Sequence, residues 1–317
     1  MAFYFVLFSS LALSAYGYTV PEQFLEYYNE LEGNLGNKMA LNPAKEQLTE
    51  CIEMRGEPGV YQVSSAGQQM ACGIFLVGPV DAQVEIDFLT FDVDCKDGGI
   101  VGVLDGWEQN GAVFPDAEDM GQDGVRHLTY CGHNRPKHVF RSTGNMALVQ
   151  YRLPGAATGF IIRVTFPTNP RPCNIVSALP EGKFTLRNYG LKVNCSVMAM
   201  YPERLTFTYV NVGVNEALKA GSHAISALKP SGKCSAGSKE DVVEIRGGGA
   251  IELKRTSVFK KYCGFHPFTR ESHNVLCGAT IVRLVSSGKY DNMVNVELAE
   301  PLEESLSDME MDKISTC

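Results

Sequence analysis

The residues in this sequence with the clearest chemical meaning are its ten cysteines. They are Cys51, Cys72, Cys95, Cys131, Cys173, Cys195, Cys234, Cys263, Cys277 and Cys317. Their even number and wide spacing favour disulfide bonds, which persist outside the cytosol. A structural zinc site would require CxxC pairs or clustered cysteine and histidine, and no two of these cysteines lie that close. The cysteines therefore predict a disulfide-bonded extracellular protein.

The other reactive side chains form no recognisable catalytic pattern. The sequence contains no HExxH, GxSxG or P-loop motif, so we predict a protein that is not an enzyme. His127, His133 and His138 fall in one segment, but their spacing exceeds that of a helical metal-binding pair and the segment contains Pro136. We therefore expect solvated histidines and predict no metal or other cofactor.

An apolar N-terminus supports the extracellular location. Phe3 to Ala15 is apolar or small throughout, and Ala15-Tyr16-Gly17 places small residues where a signal peptidase cleaves. We predict a signal peptide over 1–17, although no Lys or Arg precedes the apolar run and a short buried helix is the alternative. A membrane-spanning helix needs about 20 apolar residues, so we expect a secreted chain without membrane attachment.

The formal net charge of −8 restricts the possible partners. Binding to phosphate backbones requires a basic surface, so we predict no nucleic-acid partner. The acidic surface weakly favours a basic or amphipathic peptide, although solubility alone explains the charge better.

The cysteines and the residues around them repeat once along the chain. Cys51 and Cys72 enclose a Gly turn and the run Val60 to Val63, and Cys173 and Cys195 enclose a similar run after Gly182. Tyr130-Cys131-Gly132 recurs as Tyr262-Cys263-Gly264. Two copies of one four-cysteine module explain this pattern. The three prolines within 166–172 mark the boundary between the copies.

Alternating apolar residues predict that each copy is built from β-strands. Met146 to Leu153 and Gly159 to Phe166 form one such strand pair, and Thr280 to Val285 and Asn292 to Leu298 form the equivalent pair. The apolar phase changes between Phe88 and Leu89, which predicts a β-bulge there. Short strands separated by Gly and Pro turns predict an all-β protein with two consecutive antiparallel sandwiches.

These patterns divide the chain into five parts. The signal peptide (1–17) precedes an N-terminal segment (18–50) with a helix predicted over Pro21 to Glu32. The first sandwich covers 51–168 and the second covers 169–300. The tail, 301–317, is acidic: Glu300 to Asp312 carries six carboxylates and no basic residue. Such a segment is typical of a solvated tail, although Cys317 argues against complete freedom.

Several stretches resemble known families. The spacing of the first four cysteines, the Leu104-Asp105-Gly106 turn and the strand at Gly159-Phe160 resemble CUB domains. From about Leu41 to Glu304 the chain is similar to the corticotropin-releasing factor-binding protein family. The matching stretches are Val103 to Trp107, Pro172 to Ser177, Gly182 to Leu186, Asn194 to Ser196 and Val282 to Lys289. This resemblance implies a secreted glycoprotein that sequesters stress and diuretic peptide hormones of the corticotropin-releasing factor type.

The resemblance also implies specific disulfides. They join neighbours in order, as Cys51–Cys72, Cys95–Cys131, Cys173–Cys195, Cys234–Cys263 and Cys277–Cys317. The sequence repeat independently favours the first four, because equivalent loops should close equivalently.

Ligand contacts of the family lie near the first cysteine. Glu53 matches an acidic contact, and Gln47 stands where the family has a basic one, which puts that contact in doubt. The sequon Asn194-Cys195-Ser196 predicts glycosylation at Asn194, although Cys195 could hinder the modification.

Three alternatives stay open from the sequence. Many CUB domains bind calcium, to which Asp97 and Asp105 could contribute, but 152–155 offers no carboxylate. We expect Asp105 to cap a turn instead. Trp107 is either a binding hot spot or part of the core beside that turn, and core packing is favoured. The alternative function is that of a CUB-type extracellular adhesion or matrix protein-interaction module.

Overall fold

The computed structural model describes residues 45–65, 67, 70–120, 126–214 and 240–301. All of these residues belong to one unit, Leu41–Cys317. The predicted signal peptide, the helix predicted over Pro21 to Glu32 and nearly all of the acidic tail lie outside the described residues. Within the described ranges, we find no helix with the length and apolar character needed to cross a membrane.

The first half of the chain folds into a sandwich of two five-stranded sheets. One sheet has the order β1-β3-β12-β5-β10, the other has the order β2-β4-β11-β6-β9, and β7 and β8 form a separate hairpin. The strands are β1 (Lys45–Leu48), β2 (Ile52–Arg55), β3 (Gly59–Ser64), β4 (Cys72–Val77), β5 (Glu85–Asp92), β6 (Ile100–Asp105), β7 (Trp107–Gln109), β8 (Ala112–Phe114), β9 (His127–Tyr130), β10 (Phe140–Arg141), β11 (Met146–Arg152) and β12 (Gly159–Thr165).

The second half repeats this architecture. One sheet has the order β13-β15-β21-β17-β18, and the other has the order β14-β22-β16-β19 with β20 also paired to β16. The strands are β13 (Asn174–Ser177), β14 (Gly182–Arg187), β15 (Cys195–Ala199), β16 (Glu203–Val212), β17 (Val242–Gly248), β18 (Thr256–Tyr262), β19 (Gly264–His266), β20 (Glu271–Val275), β21 (Ala279–Val285) and β22 (Met293–Ala299). A 3-10 turn, Leu253–Arg255, precedes β18.

Apolar and polar side chains alternate along the strands. In each sandwich, the apolar face of one sheet therefore packs against the apolar face of the partner sheet. In β12, Phe160, Ile162 and Val164 are buried while Arg163 is exposed. Because side chains alternate across a strand, this pattern gives each sandwich its own apolar core. The predicted all-β fold of two consecutive sandwiches is therefore confirmed.

Two details refine the predicted strands. The pairing of β12 with β5 shifts between Thr90 and Phe88, which leaves Leu89 as the extra residue of the predicted bulge. Three strand pairs are parallel within the otherwise antiparallel sheets: β1 with β3, β2 with β4, and β13 with β15. The parallel pairs arise because the chain visits the opposite sheet between two neighbouring strands. Strand β1 belongs to the first sandwich, which therefore begins before Cys51.

Disulfides close equivalent loops in the two sandwiches. Cys51 bonds to Cys72, Cys95 to Cys131 and Cys173 to Cys195. The first and third bonds each join the first residue of a strand, Cys72 of β4 or Cys195 of β15, to the residue just before its parallel partner strand. Each such closure stabilises the fold by roughly 3 kcal/mol in the chain-entropy model. Cys263 and Cys277 are also disulfide-bonded, whereas Cys234 and Cys317, their expected partners, lie outside the described residues.

A buried ion pair joins the two sandwiches. Asp119, in the loop after β8, accepts hydrogen bonds from Arg283 of β21, with Nε–Oδ2 and Nη2–Oδ1 distances of 2.7 and 2.5 Å. The side chains are only 1% and 11% exposed. Asn194 also donates to Asp119 at 2.8 Å. Charge-assisted bidentate pairs of this kind fix orientation as well as adding energy.

The side chain of Asn145 also joins the two sandwiches, because it forms two hydrogen bonds with the backbone of the second. Asn145 of the first sandwich accepts from the Val176 N–H at 2.9 Å and donates to the Val176 carbonyl at 3.1 Å. Gly144 passes so close to Asn174 that a Cβ there would lie 2.3 Å from the Asn174 carbonyl oxygen. A larger residue at 144 would therefore separate the sandwiches at this point.

We expect Arg283→Met to lower the free energy of unfolding by about 3–5 kcal/mol, because it leaves the Asp119 carboxylate buried and uncompensated. Urea denaturation under oxidising conditions measures this change. The control is Lys183→Met, which breaks an ion pair with Glu297 whose lysine side chain is 83% exposed, and which we expect to cost about 1 kcal/mol or less. Equal effects of the two substitutions would contradict a structural role for the buried pair.

Candidate functional site

The residues singled out near Cys51 lie at one open edge of the first sandwich. Strands β1 and β2 are the edge strands of its two sheets. They follow each other in the chain, so the short segment 49–51 crosses from one sheet to the other. This crossing brings the side chains of both strands to the same edge.

Glu53 is held tightly at this crossing. It is only 8% exposed, and its Oε1 accepts the backbone N–H groups of Thr49 and Glu50 at 3.3 and 3.1 Å. Its Oε2 lies 2.9 Å from Nη1 of Arg55. Glu53 therefore fixes the conformation of the crossing and orients Arg55, and most of its hydrogen-bonding capacity is already used.

Arg55 connects the two edge strands. Its Nη2 donates to Glu46 of β1 at 2.9 Å, and its Nη1 donates to the Met54 carbonyl at 2.8 Å. The guanidinium lies 6.0 Å from the centroid of the Tyr61 ring. Its Nε has no hydrogen-bond partner among the described residues. The cation that pairs with both Glu46 and Glu53 thus comes from β2.

Gln47 does not join this group. In β1, Leu48 belongs to the core, so Glu46 points inward with Leu48 while Gln47 points to the opposite, exposed face of its sheet. The Gln47 amide donates only to the neighbouring Leu48 carbonyl, at 3.2 Å. The structure therefore separates Gln47 from Glu53, and the predicted contact at each of them stays a prediction.

The sequence contains a signal for Arg55. Glu53 and Arg55 are two residues apart on a strand, so they share one face. Opposite charges at this spacing indicate an ion pair at the surface or edge of a sheet. Glu46 had no comparable signal, because its approach to Arg55 depends on how the two sheets stack.

An apolar patch lies on the other face of β2. Ile52 is 40% exposed, and a Cβ added at Gly73 would be 3.8 Å from Ile52, 3.9 Å from Phe75 and 3.3 Å from Leu148. The Phe75 ring packs 4.5 Å from the ring of Trp107. Trp107 itself is buried, which confirms that it packs in the protein. The edge strand β2 thus has an apolar face and a charged face.

Asp105 serves the fold. Its two carboxylate oxygens accept the Thr143 N–H at 3.0 and 3.1 Å, as expected for a capping residue. Burial raises the pKa of this carboxyl, and the bond from Thr143 opposes that shift. Of the three histidines, His133 lies 2.6 Å from Asp92 at the surface. No group of three or more His, Cys, Asp or Glu side chains in the described ranges is arranged to hold a metal ion.

Asn194 participates in the junction between the sandwiches. Its Nδ2, the atom that carries an N-linked glycan, donates to Asp119 at 2.8 Å, and its Oδ1 accepts the Ser286 N–H at 3.1 Å. Ser196 of the sequon is fully buried. Glycosylation at Asn194 stays a prediction, and a glycan there would have to share the nitrogen with the Asp119 contact.

Glu203 is a buried acid outside the β1–β2 edge. It is fully buried at the start of β16, and neither carboxylate oxygen has a hydrogen-bond partner among the described residues. Burial raises the pKa of Glu203 to about 10, and nearby Glu300 adds to the shift. The group is therefore protonated in the folded protein at neutral pH.

We expect Glu53→Gln to lower the free energy of unfolding by about 1–3 kcal/mol, because it weakens the bonds that the charged carboxylate accepts from buried donors. Chemical denaturation measures this effect. Glu46→Gln is the matched control: its side chain is 53% exposed, so its loss should cost about 1 kcal/mol or less. A larger loss for Glu46→Gln would contradict the assignment of Glu53 as the anchor.

Glu203 predicts that stability falls as pH rises. The folded pKa lies above the unfolded value of 4.5, so the folded state binds the extra proton between these values and loses stability across that range. We expect Glu203→Gln to raise the free energy of unfolding by up to about 4 kcal/mol at pH 7.5, at about 1.4 kcal/mol per pKa unit. Near pH 4 the substitution should have little effect.

Urea denaturation at the two pH values measures the Glu203 effect. Glu57→Gln, at an exposed site, is the control and should be neutral at both. An equal effect of Glu203→Gln at both pH values would contradict a protonated Glu203.

Comparisons with known proteins identify the family. A model described as "Corticotropin-releasing factor binding protein N-terminal domain" matches residues 44–168, and the corresponding C-terminal domain model matches residues 175–306. The chain is 27% identical to the corticotropin-releasing factor-binding protein of Mus musculus, over 95% of this chain and 92% of the relative. It is 29% identical to that of Rattus norvegicus, over 90% and 85%.

A solved structure also matches over most of the chain. It contains the CUB1-EGF-CUB2 domains of rat MASP-1, at 13% identity and a TM-score of 0.27, and the match covers 81% of this chain and all of that one. Family assignment rests instead on the two domain models, which between them take in both sandwiches. The chain belongs to the corticotropin-releasing factor-binding protein family.

Proposed function

We propose that this protein is a secreted binding protein for peptide hormones of the corticotropin-releasing factor and diuretic-hormone type. The observation that carries this proposal is membership of the family across both sandwiches. Its relatives are named for binding corticotropin-releasing factor. The disulfides support an extracellular location, because such bonds persist in oxidising compartments. Binding lowers the concentration of free peptide and so limits receptor activation.

The β1–β2 edge supports this proposal with a surface suited to an amphipathic peptide. Ile52 supplies an exposed apolar contact on one face of β2, and Arg55 with Glu46 supplies paired charges on the other. An amphipathic helix presents apolar residues at i, i+3, i+4 and i+7 and polar residues beside them. A peptide that lies along β2 would meet both kinds of surface at once.

Arg55 is more accessible to a ligand than its ion-pair partner Glu53. Its side chain is 23% exposed, whereas Glu53 beside it is 9% exposed. The guanidinium is held in place by Glu46 and Glu53, so little side-chain freedom is lost when a ligand carboxylate binds it. Pre-ordered charges of this kind contribute to affinity because the cost of immobilising them has been met on folding.

We expect the full secreted chain to bind a corticotropin-releasing factor-type peptide reversibly and saturably, and Arg55→Gln to weaken binding at least tenfold, or about 1.4 kcal/mol. Titration calorimetry with the synthetic peptide measures both. The matched control is Arg163→Gln, which removes an arginine that is 54% exposed on β12 of the same sandwich. We expect unchanged affinity for that variant.

No heat change at micromolar peptide would reject the binding function itself. Binding that is equal in wild type and Arg55→Gln would keep the function and reject the β2 edge as its site. Recovery of a large extracellular protein, with no peptide, from extracellular fluid would favour an adhesion or matrix module instead. Expression in cells, followed by detection of the chain in the medium, tests secretion separately.

A further inference from the structure

The second sandwich has an edge strand that is exposed along most of its length. Strand β18 is the last strand of its sheet and pairs only with β17 among the described residues. Ser257, Val258, Phe259, Lys260 and Lys261 are all exposed, and only the first and last residues of the strand are buried. An edge with unpaired backbone groups and exposed apolar side chains invites pairing with another strand. Natural proteins protect such an edge by covering it or by placing charges such as lysine on it.

The same edge is basic in an otherwise acidic protein. Between Leu253 and Tyr262 the sequence contains Lys254, Arg255, Lys260 and Lys261 and no acidic residue, while the whole chain carries a net charge of −8. Glu271 and Glu244 contact the two strand lysines, at 3.6 and 2.7 Å. The edge therefore fits an extended segment that carries several carboxylates.

We propose that the occupant is the acidic C-terminal segment of the same chain, residues 303–312, running along β18. This segment contains Glu303, Glu304, Asp308, Glu310 and Asp312 and no basic residue. It would add main-chain hydrogen bonds to the free side of β18 and place its carboxylates near the lysines of the edge. Pairing of an extended peptide with a sheet edge is a common mode of recognition.

The expected disulfides would bring the end of the tail to this edge. Cys263 and Cys277 are disulfide-bonded, and neither takes part in the three disulfides of the other described cysteines. The expected pairs, Cys234–Cys263 and Cys277–Cys317, would attach Cys317 to one of these two sulfurs.

Both sulfurs lie beside β18. Cys263 directly follows the last residue of the strand. Cys277 lies beside Phe259 of β18. A Cβ added at Gly247 would be 2.7 Å from both the Cys277 Sγ and the Phe259 ring. The expected Cys277–Cys317 bond would therefore attach the tail next to the strand that it would cover.

The tail begins near Cys277 and is long enough to run along β18. Strand β22 ends with Ala299 opposite Arg204 of β16, and Arg204 is opposite Asn274 of β20, three residues before Cys277. The 16 residues after Pro301 reach about 50 Å when extended, at roughly 3.3 Å per residue. The seven residues of β18 need about 23 Å at that spacing. A tail that starts here and is joined through Cys317 to this region would also be held at high effective concentration.

Zero-length carbodiimide cross-linking of the full secreted chain tests the proposal directly, because it joins carboxylates to lysines in contact. We expect cross-links between residues 303–312 and Lys254, Lys260 or Lys261, formed within single chains when light and heavy-isotope chains are mixed. Links that join light to heavy chains at these lysines would identify a second copy as the occupant and overturn the proposal. Absence of links between the tail and these lysines would also overturn it.

Hydrogen–deuterium exchange provides the second readout. A variant with Glu303→Gln, Glu304→Gln, Asp308→Asn, Glu310→Gln and Asp312→Asn keeps Cys317 and its disulfide. We expect the amides of 257–261 to exchange at least tenfold faster in this variant than in the wild type. Unchanged exchange in these amides would refute a protective role of the acidic tail.

The control carries the same change in net charge at exposed sites away from β18. Its substitutions are Glu50→Gln, Glu57→Gln, Asp81→Asn, Asp92→Asn and Asp97→Asn, all at exposed residues of the first sandwich. We expect wild-type exchange at 257–261 in this variant. Equally fast exchange in both variants would assign the effect to net charge and reject the specific contact.

Discussion

The buried pair of Asp119 and Arg283 is the interaction on which the arrangement of the two sandwiches depends. Each sandwich has a separate apolar core, so burial of core side chains does not fix one sandwich relative to the other. The junction includes hydrogen bonds with strict geometry, beside buried apolar side chains that belong to neither core, such as Met198 and Ile281. Because a buried charge is costly without its partner, the pair excludes alternative placements that an apolar contact would tolerate.

This junction continues electrostatically into the second sandwich. Arg283 also lies 3.7 Å from Glu244 of β17, and Glu244 lies 2.7 Å from Lys261 of β18. The chain of opposite charges thus runs from the interior of the junction to the basic outer edge. It explains how a strand as exposed as β18 can keep a defined position: its lysine is held by an acid that the junction orders.

Both proposed binding surfaces lie at sheet edges. A sandwich buries the inner faces of its sheets, and the edges are where backbone groups and side chains from both sheets become available together. At the β1–β2 edge, this brings Arg55 of one sheet to Glu46 of the other. At β18, it leaves backbone groups that pair with no other described strand, next to lysine side chains. The peptide site and the proposed tail site are on different sandwiches, so they are separate features of the molecule.

The sequence by itself determined the local features of this protein. Period-two burial predicted strands such as β11 and β12, the phase change at Phe88-Leu89 predicted the bulge, and the repeated cysteine pattern predicted two sandwiches. These features depend on neighbours in the chain, which the sequence displays directly. Resemblance added the family. The parallel pairing of β1 with β3 and the start of the first sandwich before Cys51 were not visible, because alternation does not reveal which strand lies alongside.

Tertiary structure alone decided the contacts between distant residues. Asp119 and Arg283 are 164 positions apart, and nothing near either residue indicates the other. Gln47 and Glu53 were predicted as contacts near Cys51, with the Gln47 contact already in doubt, but the inward direction of Leu48 places Gln47 on the outer face of its sheet, away from Glu53. The physical reason is the same in both cases: side-chain direction and strand stacking determine contact, and they are set by the packing of whole sheets.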